Sequence, residues 1–106
     1  MPKYLFEAKY TAEGAKGIIK EGGSARRAAV EKAIAGCGGR LESFYFAFGD
    51  VDAYVVADLP DNASAAALAL AVGGSGRAST KTVVLLTMDE ADAATKKAVN
   101  YRPPGG

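Results

Sequence analysis

Lys3 to Tyr10 alternates with a period of two. Tyr4, Phe6, Ala8 and Tyr10 fall on one side and Leu5, Glu7 and Lys9 on the other, the signature of a strand. Thr11 offers an N-cap hydroxyl, and Ala12, Ala15, Ile18 and Ile19 then fall at helical spacing. Gly14 and Gly17 each cost that helix roughly 1 kcal/mol relative to alanine, which predicts a short or irregular piece ended by Gly22-Gly23. A second helix is expected from a Ser24 cap, with Val30, Ala33, Ile34 and Cys37 as its apolar stripe and Gly38-Gly39 as its left-handed stop. Leu41 to Phe48 reads as a strand with Phe44, Phe46 and Phe48 on one face and Ser43 and Tyr45 on the other. Gly49-Asp50 suits a two-residue type II′ turn into a neighbouring antiparallel strand, Val51 to Asp58. After Pro60, Asp61 or Asn62 can cap an almost uniformly apolar helix from Ala63 to about Val72, closed by Gly73-Gly74. Thr80 to Thr87 is the last strand, Asp89 to about Val99 a short helix, and Tyr101-Arg102-Pro103-Pro104 an extended tail.

The order β, α, β, β, α, β predicts an α+β ferredoxin-like sandwich over residues 1–106, a split βαβ arrangement with a four-stranded antiparallel sheet, followed by a C-terminal appendage over residues 88–106. Two principal helices cover only one face of such a sheet. Ala53-Tyr54-Val55-Val56-Ala57 and Val83-Val84-Leu85-Leu86 do not alternate as a strand with one wet face should, so both faces read as dry. A face of four strands is on the order of 450 Å², near the upper end of what a monomer exposes, and a second copy is the simplest cover. The alternative is that the C-terminal segment folds back over its own sheet. The prolines of the tail also suit an extended arm laid across a second subunit, with Tyr101 and Arg102 as anchors.

Composition narrows the function by exclusion. The chain has no histidine, which removes Ser-His and Cys-His nucleophile pairs, imidazole bases and His-ligated metals. Thirteen basic and twelve acidic residues are scattered and nearly cancel, so no nucleic-acid partner is expected. No apolar run reaches membrane-spanning length, and the strand pattern begins within three residues of Met1, so a cytoplasmic protein without a membrane association is expected. Cys37 stands alone and is expected to be buried and inert. No cofactor or metal site is expected.

Arg40-Leu41-Glu42-Ser43-Phe44-Tyr45-Phe46-Ala47-Phe48-Gly49-Asp50-Val51-Asp52, then Leu59-Pro60-Asp61 before an alanine-rich helix, resembles the GYD domain family. The Thr80 to Glu90 stretch and the Tyr101 to Gly105 tail fit it as well. The family's Gly, Tyr, Asp motif is altered here: Val51 precedes Asp52, so the resemblance carries no role for a tyrosine at that position. It implies a ferredoxin-like fold of the dimeric α+β barrel type, in which two sheets pack face to face. It implies no particular activity, since neighbouring barrel families include small monooxygenases, decyclising and dehalogenating enzymes and ligand-binding proteins.

The candidate site is a small apolar pocket, either between sheet and helices or inside the barrel, for a small apolar or aromatic ligand. Glu7 and Lys9 share a strand face and form an acid–base pair if water is excluded, or a salt-bridged pair at an exposed rim. Ser43, Tyr45 and Thr82 join them if their strands have the matching register. Asp52 is either a carboxylate at the pocket mouth or a hairpin residue accepting backbone N–H bonds. Arg26 and Arg27 read as an anion site or a solvated helix face, and Gly73-Gly74-Ser75-Gly76 as a helix stop rather than a phosphate loop, because it follows a helix. Two function classes follow: a small-molecule-binding or interaction protein that dimerises through its sheet, and a cofactor-independent small oxygenase or isomerase.

Overall fold

The computed structural model describes residues 1–106. Its elements are β1 (Lys3–Tyr10), α1 (Ala12–Glu21), α2 (Gly23–Gly36), β2 (Arg40–Phe46), β3 (Ala53–Asp58), α3 (Asn62–Gly74), β4 (Ala78–Leu85) and α4 (Met88–Thr95). The four strands form one antiparallel sheet in the order β2-β3-β1-β4, which with the helices gives a ferredoxin-like α+β fold. The pleat of β1 divides the sheet: Tyr4, Phe6 and Ala8 are buried toward the helices, while Leu5 and Glu7 are half-buried on the face without helices. On the helix side α2 packs over β2 and α3 over β4.

Local chemistry accounts for most boundaries. Thr11 accepts the Gly14 N–H and Asp61 accepts the Ser64 N–H at 2.8 Å, capping α1 and α3. At the end of α2, Gly38 adopts φ +80. The Gly39 N–H reaches the Ile34 carbonyl and the Gly38 N–H reaches that of Ala35, a Schellman stop that glycine supplies without strain. Thr87 and Glu90 form a reciprocal capping box at α4.

Several expectations are corrected. Despite its two glycines α1 is a full ten-residue helix. The cap position of α2 is Gly22, not Ser24, which lies inside the first turn. The β2–β3 connection is a six-residue loop rather than a two-residue II′ turn; Gly49 lacks the positive φ that turn requires, and β2 ends at Phe46. Asp52 explains the longer loop, because it is tied outward to β1: its N–H donates to the Ala8 carbonyl, and its Oδ2 accepts the Tyr10 N–H, each at 2.9 Å. Phe48, expected on the strand, is fully exposed in the loop.

The core is tightest at one end of the sheet, where Tyr4, Ile34 and Leu59 are fully buried. Gly39 fits there only because it lacks a side chain; a Cβ would strike the Asp58 carbonyl oxygen and the Leu59 side chain. On the opposite face of that same end, Asp58 binds the Lys3 ammonium at 2.9 Å and the Arg40 guanidinium at 3.3 Å, and Lys3 also reaches Glu42 at 2.9 Å. This cluster joins β2, β3 and β1. The C-terminal segment extends away from this body: α4 has no buried residue, and the radius of gyration is 16.7 Å against about 13 Å for a compact chain of this length. No helix is long and apolar enough to cross a membrane.

The Lys3 hydrogen bond holds the Asp58 carboxyl below its ordinary pKa, and bonds to Asp58 and Glu42 raise that of Lys3. For Asp58 the stabilisation is complete above its unfolded pKa of about 3.9 and is lost as pH falls through the lower folded value. For Lys3 it is present below its unfolded pKa and lost as pH rises through the higher folded value. Asp58→Asn should therefore cost on the order of 1–3 kcal/mol at pH 7, and urea denaturation should show the gap from the parent narrowing below about pH 4.

Candidate functional site

Alanine and glycine dominate the inward surfaces of the helices, and this leaves space above the sheet. A cleft of about 380 Å³ opens there. Phe6, Ala8 and Tyr10 of β1, with Phe44 and Val55 beside them, form its floor. Ala29, Val30 and Ala33 of α2 face Leu68, Ala71 and Val72 of α3 as walls, and Gly14 and Gly17 of α1 narrow one end. At the end reached by the last residue of β1, the lining becomes polar, with Tyr10, Glu21, Arg26, Ser75 and Arg77.

This polar end has a defined electrostatic character. Burial raises the Tyr10 hydroxyl pKa; the positive charge of Arg26 opposes that rise, while Asp52 and Glu21 add to it. The Arg26 Nε is buried and has no hydrogen-bond partner. Its ion-pair neighbour, Glu21 Oε1, is 3.5 Å away. Arg27 is exposed, so the two arginines that the sequence presents together are separated by the helix into one cleft residue and one solvated one.

A second, more open groove of about 620 Å³ lies between α3 and the edge strand β4, lined in part by Tyr4, Asn62, Ala69 and Val84. There the Tyr4 hydroxyl donates to Asn62 Oδ1 at 2.5 Å.

The sequence-derived site residues do not converge on one place. Glu7, Lys9, Ser43 and Tyr45 share the face without helices. The register sets three rows across the sheet in the order β2, β3, β1, β4: Tyr45, Tyr54, Glu7 and Lys81; then Ser43, Val56, Leu5 and Val83; then Arg40, Asp58, Lys3 and Leu85. Glu7 thus stands between Tyr54 and Lys81, while Lys9 pairs with Ser79, and no ion pair joins Glu7 to Lys9. Thr82 does not join them: it pairs with Phe6 and lines the α3–β4 groove on the opposite face. The cause is the one-residue alternation of β4, whose apolar run gives no clue to its register. The Asp52 carboxylate is bonded to the Tyr10 backbone. Cys37 is half-buried, packed against the core at the end of α2, rather than fully enclosed.

The residues that sequence reasoning passed over are Tyr10, Glu21 and Arg77 at the cleft's polar end. Their signal was the density of small residues, Gly14, Gly17, Ala29, Ala33 and Ala71, at positions that face one another across the sheet.

Residues 4–95 match the GYD domain, and the chain belongs to that family. Neither the search of curated proteins nor that of solved structures returned a match.

Two glycines of α1 test how the cleft is walled. A Cβ on Gly14 would lie 2.0 Å from the Arg77 carbonyl oxygen, far inside van der Waals contact, and that oxygen already accepts the Thr11 N–H at 2.9 Å, whereas one on Gly17 meets nothing within 4 Å. Gly14→Ala should therefore destabilise by about 2 kcal/mol or more, and Gly17→Ala should stabilise by up to about 1 kcal/mol, as read from thermal melts.

Proposed function

We propose that this protein is a small-molecule-binding homodimer, paired through the sheet face that lacks helices and holding a small apolar or aromatic ligand in the cleft on the other side. The observation that carries this reading is the cleft of about 380 Å³, apolar along its walls and polar at one end. That volume and that division of lining are what sites for small organic ligands have in common.

Dimerisation is supported by the composition of the opposite face. Its middle row places Val56, Leu5 and Val83 side by side, and Tyr45 and Tyr54 stand next to them with 71% and 39% of their surface exposed. A second copy laid on this face would remove those side chains from water, each full burial contributing roughly 1.5–3 kcal/mol before the cost of association is counted. The C-terminal segment points the same way. It leaves Leu86, Met88, Val99 and Tyr101 in solvent, and a second subunit would cover them.

Native mass spectrometry of gently purified protein reports both halves of the proposal together. A dimer with a small adduct is expected; a ligand-free monomer would overturn the reading. Val83 and Val84 sit on opposite faces of β4, so Val83→Glu should shift the dimer to monomer while Val84→Glu leaves it intact. Equal effects of the two substitutions would remove the sheet face as the interface.

A further inference from the structure

We propose that the ligand of the helix-side cleft is an amphipathic anion, an apolar body carrying a carboxylate or sulfonate, with Arg26 as the residue that receives its charge. The inference rests on the reading of the cleft as a ligand site and adds the chemical class of the ligand.

The apolar part follows from the walls. Ala29, Ala33 and Ala71 each carry only a methyl group and leave the space above Phe6 and Ala8 unfilled, so a flat or branched hydrocarbon body finds contact on three sides. The anionic part follows from Arg26. Its Nε is shielded from water yet bonded to nothing, and a guanidinium N–H shielded in this way lacks the acceptor it would otherwise find in solvent. Glu21 lies 3.5 Å away without completing a hydrogen bond, and its side chain keeps 40% of its surface exposed. It is therefore free to turn toward water when a better acceptor arrives. A carboxylate or sulfonate at the end of an apolar body would supply an acceptor matched to the planar guanidinium. The Tyr10 hydroxyl at the same end can donate a further bond. Among the charged residues that line the cleft, Arg26 and Arg77 outnumber Glu21, so the site retains a positive charge. Glu21 then competes with the ligand for Arg26, and removing the charge of either residue should change affinity in opposite directions.

Two fluorescent probes separate these contributions in the full-length protein: 8-anilinonaphthalene-1-sulfonate and N-phenyl-1-naphthylamine, which share their rings and differ by the sulfonate. The parent should bind the sulfonate about tenfold more tightly than the neutral amine, about 1.4 kcal/mol. Arg26→Gln should abolish that preference and leave the amine unaffected. Arg26→Lys, which keeps the charge without the planar donor set, should retain part of it. Glu21→Gln should tighten the sulfonate severalfold and not the amine. Equal affinity for the two probes in the parent, or an equal loss of both in Arg26→Gln, would overturn the anion assignment. Ala33→Phe, which fills the space between α2 and α3, distinguishes the two levels of the argument. If it blocks both probes while the parent shows no preference, the cleft stands and the anion assignment falls. If both probes bind it undiminished, they do not occupy the cleft, and the ligand-site reading fails together with the inference built on it.

Discussion

The pleat of β1 governs the rest of the molecule. This strand is paired on both sides, by β3 and by β4, so its alternation cannot slip without breaking two ladders at once. Tyr4, Phe6, Ala8 and Tyr10 are thereby committed to the helices, and Lys3, Leu5, Glu7 and Lys9 to the opposite face. Neighbouring strands inherit the division through their registers. The cleft floor and the three rows of the other face are two sides of one set of strand pairings.

Along β1 the packing also changes from one end to the other. Near Lys3 the large side chains Tyr4, Ile34 and Leu59 fill the space completely, and the ion pairs of Asp58 tie three strands together on the reverse side. Near Tyr10 the facing helix residues are small, and the space is left open. Stability is therefore concentrated at one end and access at the other. A sheet anchored at a single end tolerates an unfilled cleft because the strands that form its floor are already fixed by hydrogen bonds and by the closed end.

Elements set by local chemistry were legible in the sequence. Thr11 and Asp61 cap helices as their hydroxyl and carboxylate lead one to expect, and Gly38 stops α2. What depended on contacts between distant residues was not. Val83-Val84-Leu85-Leu86 is apolar at every position, so nothing in it tells which residues face the helices, and the register that would bring Thr82 beside Glu7 is not the one the strand adopts. The loop after Phe46 looked like a tight turn because Gly49-Asp50 has turn chemistry, but its length follows from bonds between Asp52 and β1, more than forty residues earlier. Arg26 and Arg27 are chemically identical in sequence, and only the helix phase relative to Tyr10 separates them. The alanines of α2 and α3 were legible as helix formers, while the void they leave is a property of two helices held apart on a sheet.

Asp52 is connected to the cleft by an indirect route. Its carboxylate accepts the backbone N–H of Tyr10, and its own N–H donates to the Ala8 carbonyl, so it fixes the last residues of β1 from the edge that faces β3. Ala8 and Tyr10 are floor residues of the cleft, and Tyr10 carries the hydroxyl at its polar end. A carboxylate in this place acts on the site by holding the strand end that presents Tyr10, without extending into the cleft itself. The same bonds set the six-residue loop between β2 and β3, so the geometry of that loop and the position of the cleft's polar end are one constraint.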